Sequence, residues 1–152
     1  MTDDRWLTPD ELRAWRSFVA VVEILSRTLD SELQREAQLS HFDYYVLAML
    51  SEAPDRTLRM TTLAQETNAT LPRLSHVVAR LEHRGYVVRA PCAADRRATN
   101  ATLTDDGWSK VVATAPGHVR SVLAKVIDPL TGRDIADLER IMGRILAQLT
   151  DR

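Results

Sequence analysis

Apolar residues recur at helical spacing from Leu12 to Leu33, with Leu12, Trp15, Phe18, Val19, Val22, Leu25, Leu29 and Leu33 sharing one face. Thr8-Pro9-Asp10-Glu11 predicts the start of this helix, with Thr8 as N-cap, Pro9 in the first helical position and Glu11 closing a capping box. It runs to about Glu36 and is roughly 40 Å long at ~1.5 Å per residue, more than a small lobe can cover. Ser40-His41-Phe42-Asp43 predicts a second start, for a helix through Phe42, Tyr45, Val46, Met49 and Leu50 that Ala53-Pro54-Asp55 stops. A short extended piece, Leu58-Arg59-Met60, precedes a brief helix carrying Leu63 and Ala64, for which Thr61 is the expected cap. Thr67-Asn68-Ala69 makes a turn. Thr70 then caps a helix that tolerates Pro72 in its first turn and buries Leu74, Val77, Val78 and Leu81.

Gly85 closes that helix as a left-handed C-cap would. Tyr86 to Ala90 alternates as a strand, Pro91 to Arg96 is a loop, and Arg97 to Leu103 returns as the antiparallel partner. Thr104, with Asp105 and Asp106 in the first turn, starts a helix faced by Trp108, Val111, Val112, Ala115, Val119, Val122 and Val126. Pro116-Gly117 is expected to bend it, and Asp128-Pro129 to end it. Thr131 with Asp134 opens a last helix whose Ile135, Leu138, Ile141, Met142, Ile145, Leu146 and Leu149 repeat near heptad spacing.

The order between Leu58 and Gly107 is helix, turn, helix, wing. The predicted fold is therefore mainly α with a small β-wing, a winged helix-turn-helix lobe on an α-helical dimerisation frame. Residues 1–36 form an N-terminal dimerisation helix, 37–107 the DNA-binding lobe and 108–152 the C-terminal dimerisation helices. The polar side of the second helix carries Arg73, Ser75, His76, Ala79, Arg80 and Arg84, small or hydrogen-bonding groups of the size that enters a major groove.

A formal net charge of -1 over 152 residues announces no nucleic-acid partner, so the argument rests on where charges sit. Residues 1–36 hold eight acids against five arginines, whereas Leu71 to Arg97 holds six arginines against Glu82 and Asp95. A basic stripe on an acidic body concentrates attraction for phosphate at one place. The single cysteine, Cys92, excludes an intrachain disulfide framework and fits a reducing cytoplasm. The acidic N-terminus is unlike a signal peptide, and no apolar run has membrane-spanning length. His41, His76, His83 and His118 have no metal-ligand spacing, and neither a metal nor a cofactor is expected.

Val77 to Arg89, VVARLEHRGYVVR, followed by Asp95 to Gly107, DRRATNATLTDDG, resembles the MarR family of winged helix-turn-helix regulators. The matching positions are Leu81-Glu82, Gly85, Asp95 and Arg97, and Leu103-Thr104 with Gly107; the flanking helices follow the family's order. The resemblance implies a cytoplasmic homodimer on a pseudo-palindromic double-stranded operator, usually a repressor, released by a small and often aromatic effector. By that carry-over Thr70, Pro72, Arg73, Ser75, His76 and Arg80 meet DNA through the second helix, and Arg96 and Arg97 through the wing. Arg97 would enter the minor groove with Asp95 holding its guanidinium, a use that suits arginine and a narrow, strongly negative groove. Trp15, Phe18, His41, Tyr44 and Tyr45 are the candidate effector pocket, against the plainer reading that they pack the core.

Two other classes compete with this reading. A winged-helix protein-interaction module would share the pattern without reading sequence. An enzyme is not expected, since no nucleophile elbow, phosphate loop or paired metal ligands are present.

Overall fold

The computed structural model describes residues 4–150, and they divide into two compact units, one ending at Thr114 and one starting at Ala115. In the first, α1 (Pro9–Ala37) begins at the expected capping box, Thr8 accepting from the Glu11 backbone while Glu11 accepts from that of Thr8. Only its last turns are buried, through Leu29, Leu33 and Ala37. It ends on Gln38 in the left-handed conformation, φ 53°. The chain turns into α2 (His41–Glu52), where Ser40 and Asp43 exchange hydrogen bonds of 2.9 and 3.0 Å as a second capping box.

After a single 3₁₀ turn (Pro54–Arg56) come β1 (Thr57–Arg59) and α3 (Met60–Glu66). Thr61 does not cap α3: helical geometry begins at Met60, with Arg59 as a cap that makes no side-chain bond. The reason is sheet pairing, which holds the chain extended as far as Arg59 and delivers it directly into the helix. Asn68 takes up positive φ, 52°, a conformation asparagine tolerates, and Thr70 caps α4 (Leu71–His83). Gly85 is left-handed at φ 81°, as expected.

The wing strands are β2 (Val87–Pro91) and β3 (Thr99–Leu103), joined by a loop two residues longer at its far end than the sequence pattern implies. β1 adds a third strand, giving the antiparallel order β1-β3-β2 with Thr57 opposite Thr102 and Val87 opposite Leu103. Leu39, Val46, Leu47, Leu50, Leu63, Leu74, Val78, Leu81, Val87 and Ala101 are fully buried together, so helix α4 and the wing share one core with α2 and α3. That common core is what fixes the outward face of α4 relative to the wing.

α5 (Asp105–Val122) starts from Thr104, which accepts from the Gly107 amide at 3.0 Å. A β-carbon on Gly107 would meet the Tyr86 carbonyl oxygen and lie 2.6 Å from Leu103 Cδ1, so only glycine lets the helix start so close to the wing. α5 runs through Pro116 to Val122, and a π-helical turn follows at Leu123–Ile127. Proline removes one amide donor, and a helix can absorb that loss where the neighbouring turns hold. In the second unit α6 (Gly132–Thr150) opens with Thr131 and Asp134 bonded to each other and has no buried residue. Among the described residues no helix is long and apolar enough to cross a membrane.

Candidate nucleic-acid interface

Leu74, Val77, Val78 and Leu81 fix the inner side of α4. At about 100° per residue, the line opposite them runs through Pro72, His76, Ala79 and His83, all exposed. This is the outermost strip of the helix, and its side chains are small, apolar or imidazole. His83 was not among the residues picked from the sequence. Its spacing of seven from His76 on the face opposite the leucines was the signal that could have found it.

Arg73, Arg80 and Arg84 occupy one flank of that strip, and each is engaged by the corner between α1 and α2. The Arg73 guanidinium lies over the Phe42 ring, 4.1 Å from its centroid. Arg80 forms an ion pair with Asp43. Arg84 donates to the Gln38 carbonyl at 2.7 Å and lies 5.1 Å from the centre of the Tyr86 ring. Asp43 is only 3% exposed. Of the predicted DNA contacts, Pro72, Arg73, His76 and Arg80 are therefore exposed on one side of α4, but Arg80 already has a carboxylate partner. Thr70 is spent on its cap, although its residue remains exposed, and Ser75 is half-buried on the flank that faces the wing.

On that second flank Glu82 accepts from Arg89 three times, from the backbone amide at 2.9 Å, from Nε at 3.1 Å and from Nη2 at 2.9 Å. These bonds, the backbone one first, hold the Glu82 carboxyl below the ordinary carboxylate range. They tie the end of α4 to the first wing strand. A cleft of about 240 Å³ opens beside this tie, lined by Met60, Thr61, Leu71, Ser75, Arg89, Arg97, Ala98 and Thr99.

The wing loop is held by Cys92, Asp95 and Ala98 through backbone bonds of 2.8 to 3.2 Å. Asp95 Oδ1 accepts from the backbone amide of Arg97 at 3.1 Å, not from its guanidinium. A carboxylate two residues before an amide closes a local turn more readily than it reaches along an arginine side chain. Asp95 thus shapes the loop, and among the described residues the exposed Arg96 and Arg97 have no carboxylate partner. Cys92 is buried in the same loop, where the Ala94 and Asp95 backbone amides and then Arg59, 3.8 Å from Sγ, draw its thiol below the usual range.

The aromatic set does not come together within the chain. Trp15 and Phe18 pack on each other, ring centres 6.2 Å apart, on an exposed part of α1. Phe18 lies twelve residues before Asp30, about 18 Å along the helix, and Asp30 is where the His41 amide docks at 2.9 Å. Tyr44 is in the core, and Tyr45 donates to the Glu66 carbonyl at 3.2 Å, closing the end of α3.

Comparison with known proteins agrees with this geometry. Residues 38–98 match the model of the MarR family. A curated relative, the HTH-type transcriptional repressor YetL of Bacillus subtilis, is 29% identical over 112 residues, 74% of this chain. That alignment spans 66% of YetL, just under two thirds of its length. The MarR family transcriptional regulator Sco3205 of Streptomyces coelicolor, solved in complex with DNA, superposes with a TM-score of 0.94 at 43% identity, covering 100% of this chain and 94% of that one. AbsC, another MarR family regulator from Streptomyces coelicolor, superposes with a TM-score of 0.93 at 36% identity, covering 97% of this chain and 99% of its own. The chain therefore belongs to the MarR family of winged helix-turn-helix transcriptional regulators.

Proposed function

We propose that this chain is a homodimeric regulator that reads a pseudo-palindromic sequence in double-stranded DNA, acting as a repressor. The observation that carries the proposal is the outward strip of α4, Pro72, His76, Ala79 and His83, flanked by the unneutralised wing arginines Arg96 and Arg97. The strip is narrow enough to approach base edges. Its imidazoles can donate to guanine N7 and O6, and Pro72 and Ala79 offer apolar contact to a thymine methyl group. Arg73, beside the strip, suits a phosphate or a flanking base, and Arg97 suits the adjacent minor groove.

The apolar stripes support a second copy as the partner. Ile135, Ile141, Ile145, Leu146 and Leu149 of α6 are exposed, as are Leu12, Trp15, Val21 and Val22 of α1. Exposed stripes of that length on two long helices are what an obligate homodimer covers. A dimer doubles the reading helix and places two half-sites about one helical turn apart. The 240 Å³ cleft supports release by a small molecule, since Arg97 favours an anion there and an occupant would stand between α4 and the wing. YetL, named as a transcriptional repressor, supports the direction of regulation.

Selection from a random double-stranded library at near-physiological salt tests this. The expected result is an enriched inverted repeat. Duplex retained only at low salt, with no enrichment, would favour a winged-helix module that binds another protein.

A further inference from the structure

Asp43 sits 37 positions before Arg80 in the chain, yet the fold sets its carboxylate against the Arg80 guanidinium. The two members are in different surroundings. Asp43 is buried and also accepts from the Ser40 amide, which fixes it in place, whereas the Arg80 side chain is 45% exposed on the flank of the reading helix. A fixed, buried acid dictates where a half-exposed cation points. Seen along the sequence, the basic segment from Leu71 to Arg97 has six arginines and two acids; in the fold a third acid enters it from α2.

We propose that Asp43 is a positioning residue that restrains sequence-independent DNA affinity by holding Arg80 against the α1–α2 corner and away from phosphate. The proposal rests on the DNA-reading function given above. Each cation that neutralises a phosphate releases counterions and strengthens binding to every sequence alike. A regulator whose reading strip carries no arginine gains little discrimination from one more backbone contact, and loses more to competing non-specific sites. Arg80 is long enough to reach past the strip, so its restraint has to come from a partner. Asp43 is that partner, and being nearly inaccessible it does not itself repel the phosphates in solvent-exposed contact with the helix.

The test is binding of labelled random duplex and of the selected operator across a salt series, with wild type, Asp43→Asn and the double variant Asp43→Asn/Arg80→Gln. Asparagine can still accept from the Ser40 amide, so the α2 cap survives while the ion pair is lost. Asp43→Asn is expected to steepen the log-affinity against log-salt slope by about 0.9 and to raise random-duplex affinity roughly fivefold to tenfold near 0.1 M salt. The double variant removes both charges and leaves no buried ion without a partner; its slope is expected to equal that of wild type. An unchanged slope in Asp43→Asn overturns the proposal. So does a slope about one unit shallower in the double variant, because Arg80 would then touch phosphate in the wild type. If circular dichroism shows that Asp43→Asn is unfolded, the double variant decides alone. Wild type that shows neither operator preference nor salt-dependent binding would instead refute the DNA-reading function itself.

Discussion

His41 shows how a single side chain can matter to the fold without belonging to the reading surface. It opens α2, half-buried, and burial holds its imidazole below the usual range although Asp30 nearby opposes the shift. Between the depressed folded value and the ordinary value of about 6.5, the unfolded chain binds a proton that the folded chain does not, so stability falls as pH drops through that window. Urea unfolding of wild type and His41→Asn from pH 7.5 to pH 5 should show a steeper loss in wild type; equal pH profiles would remove His41 as the cause. Glu82 works at lower pH, because its depressed carboxyl contributes stability that is present at neutrality and is lost only as pH falls below the ordinary carboxylate range. Single residues whose partners are close in sequence were legible beforehand. Thr8, Ser40, Thr70, Thr104 and Thr131 all cap as expected because a cap is decided within three residues. Arg80 with Asp43 was not legible, since nothing local marks two residues 37 apart as neighbours.

At the scale of elements, the junction between wing and α5 leaves no room for a β-carbon at Gly107. Leu103-Thr104 and Gly107 belong to one arrangement: Thr104 donates to the Gly85 carbonyl at 2.7 Å and caps the Gly107 amide, while Gly107 passes under the Tyr86 carbonyl. Alanine is worth up to about 1 kcal/mol more than glycine inside a helix, but here its β-carbon meets backbone that can yield only by moving β2 or α5. Gly107→Ala is therefore expected to destabilise by about 1–3 kcal/mol in urea unfolding, and a stabilised variant would show that the junction is slack. The same scale explains a departure from the sequence pattern. Hydrophobic periodicity found both wing strands but not the pairing of β1 with β3, since a three-residue strand has no period of its own and its partner lies more than forty positions away. Pro116 lies inside α5, which runs on to Val122 as the helical pattern across it implied.

For the whole molecule, charge and apolar surface give different information. A net charge of -1 hides a lobe whose exposed wing cations, Arg96 and Arg97, lie beyond a reading strip from which the arginines of α4 are drawn aside by Phe42, Asp43 and Gln38. Under the proposed function, sequence-independent attraction comes from the wing and Arg73, and base discrimination from Pro72, His76, Ala79 and His83. In the proposed homodimer the exposed stripes of α1 and α6 would bring in the second copy, because one strip covers only one half-site. A rigid dimer of that kind would fix the distance between half-sites, and that distance can be measured directly in solution. That measurement is the affinity of the wild-type protein for the selected operator and for the same operator with five base pairs inserted between its half-sites. The insertion turns one half-site about halfway round the duplex. Affinity is expected to fall to within roughly threefold of random duplex at near-physiological salt; affinity equal to that of the unaltered operator would contradict a dimer that reads two half-sites from one side.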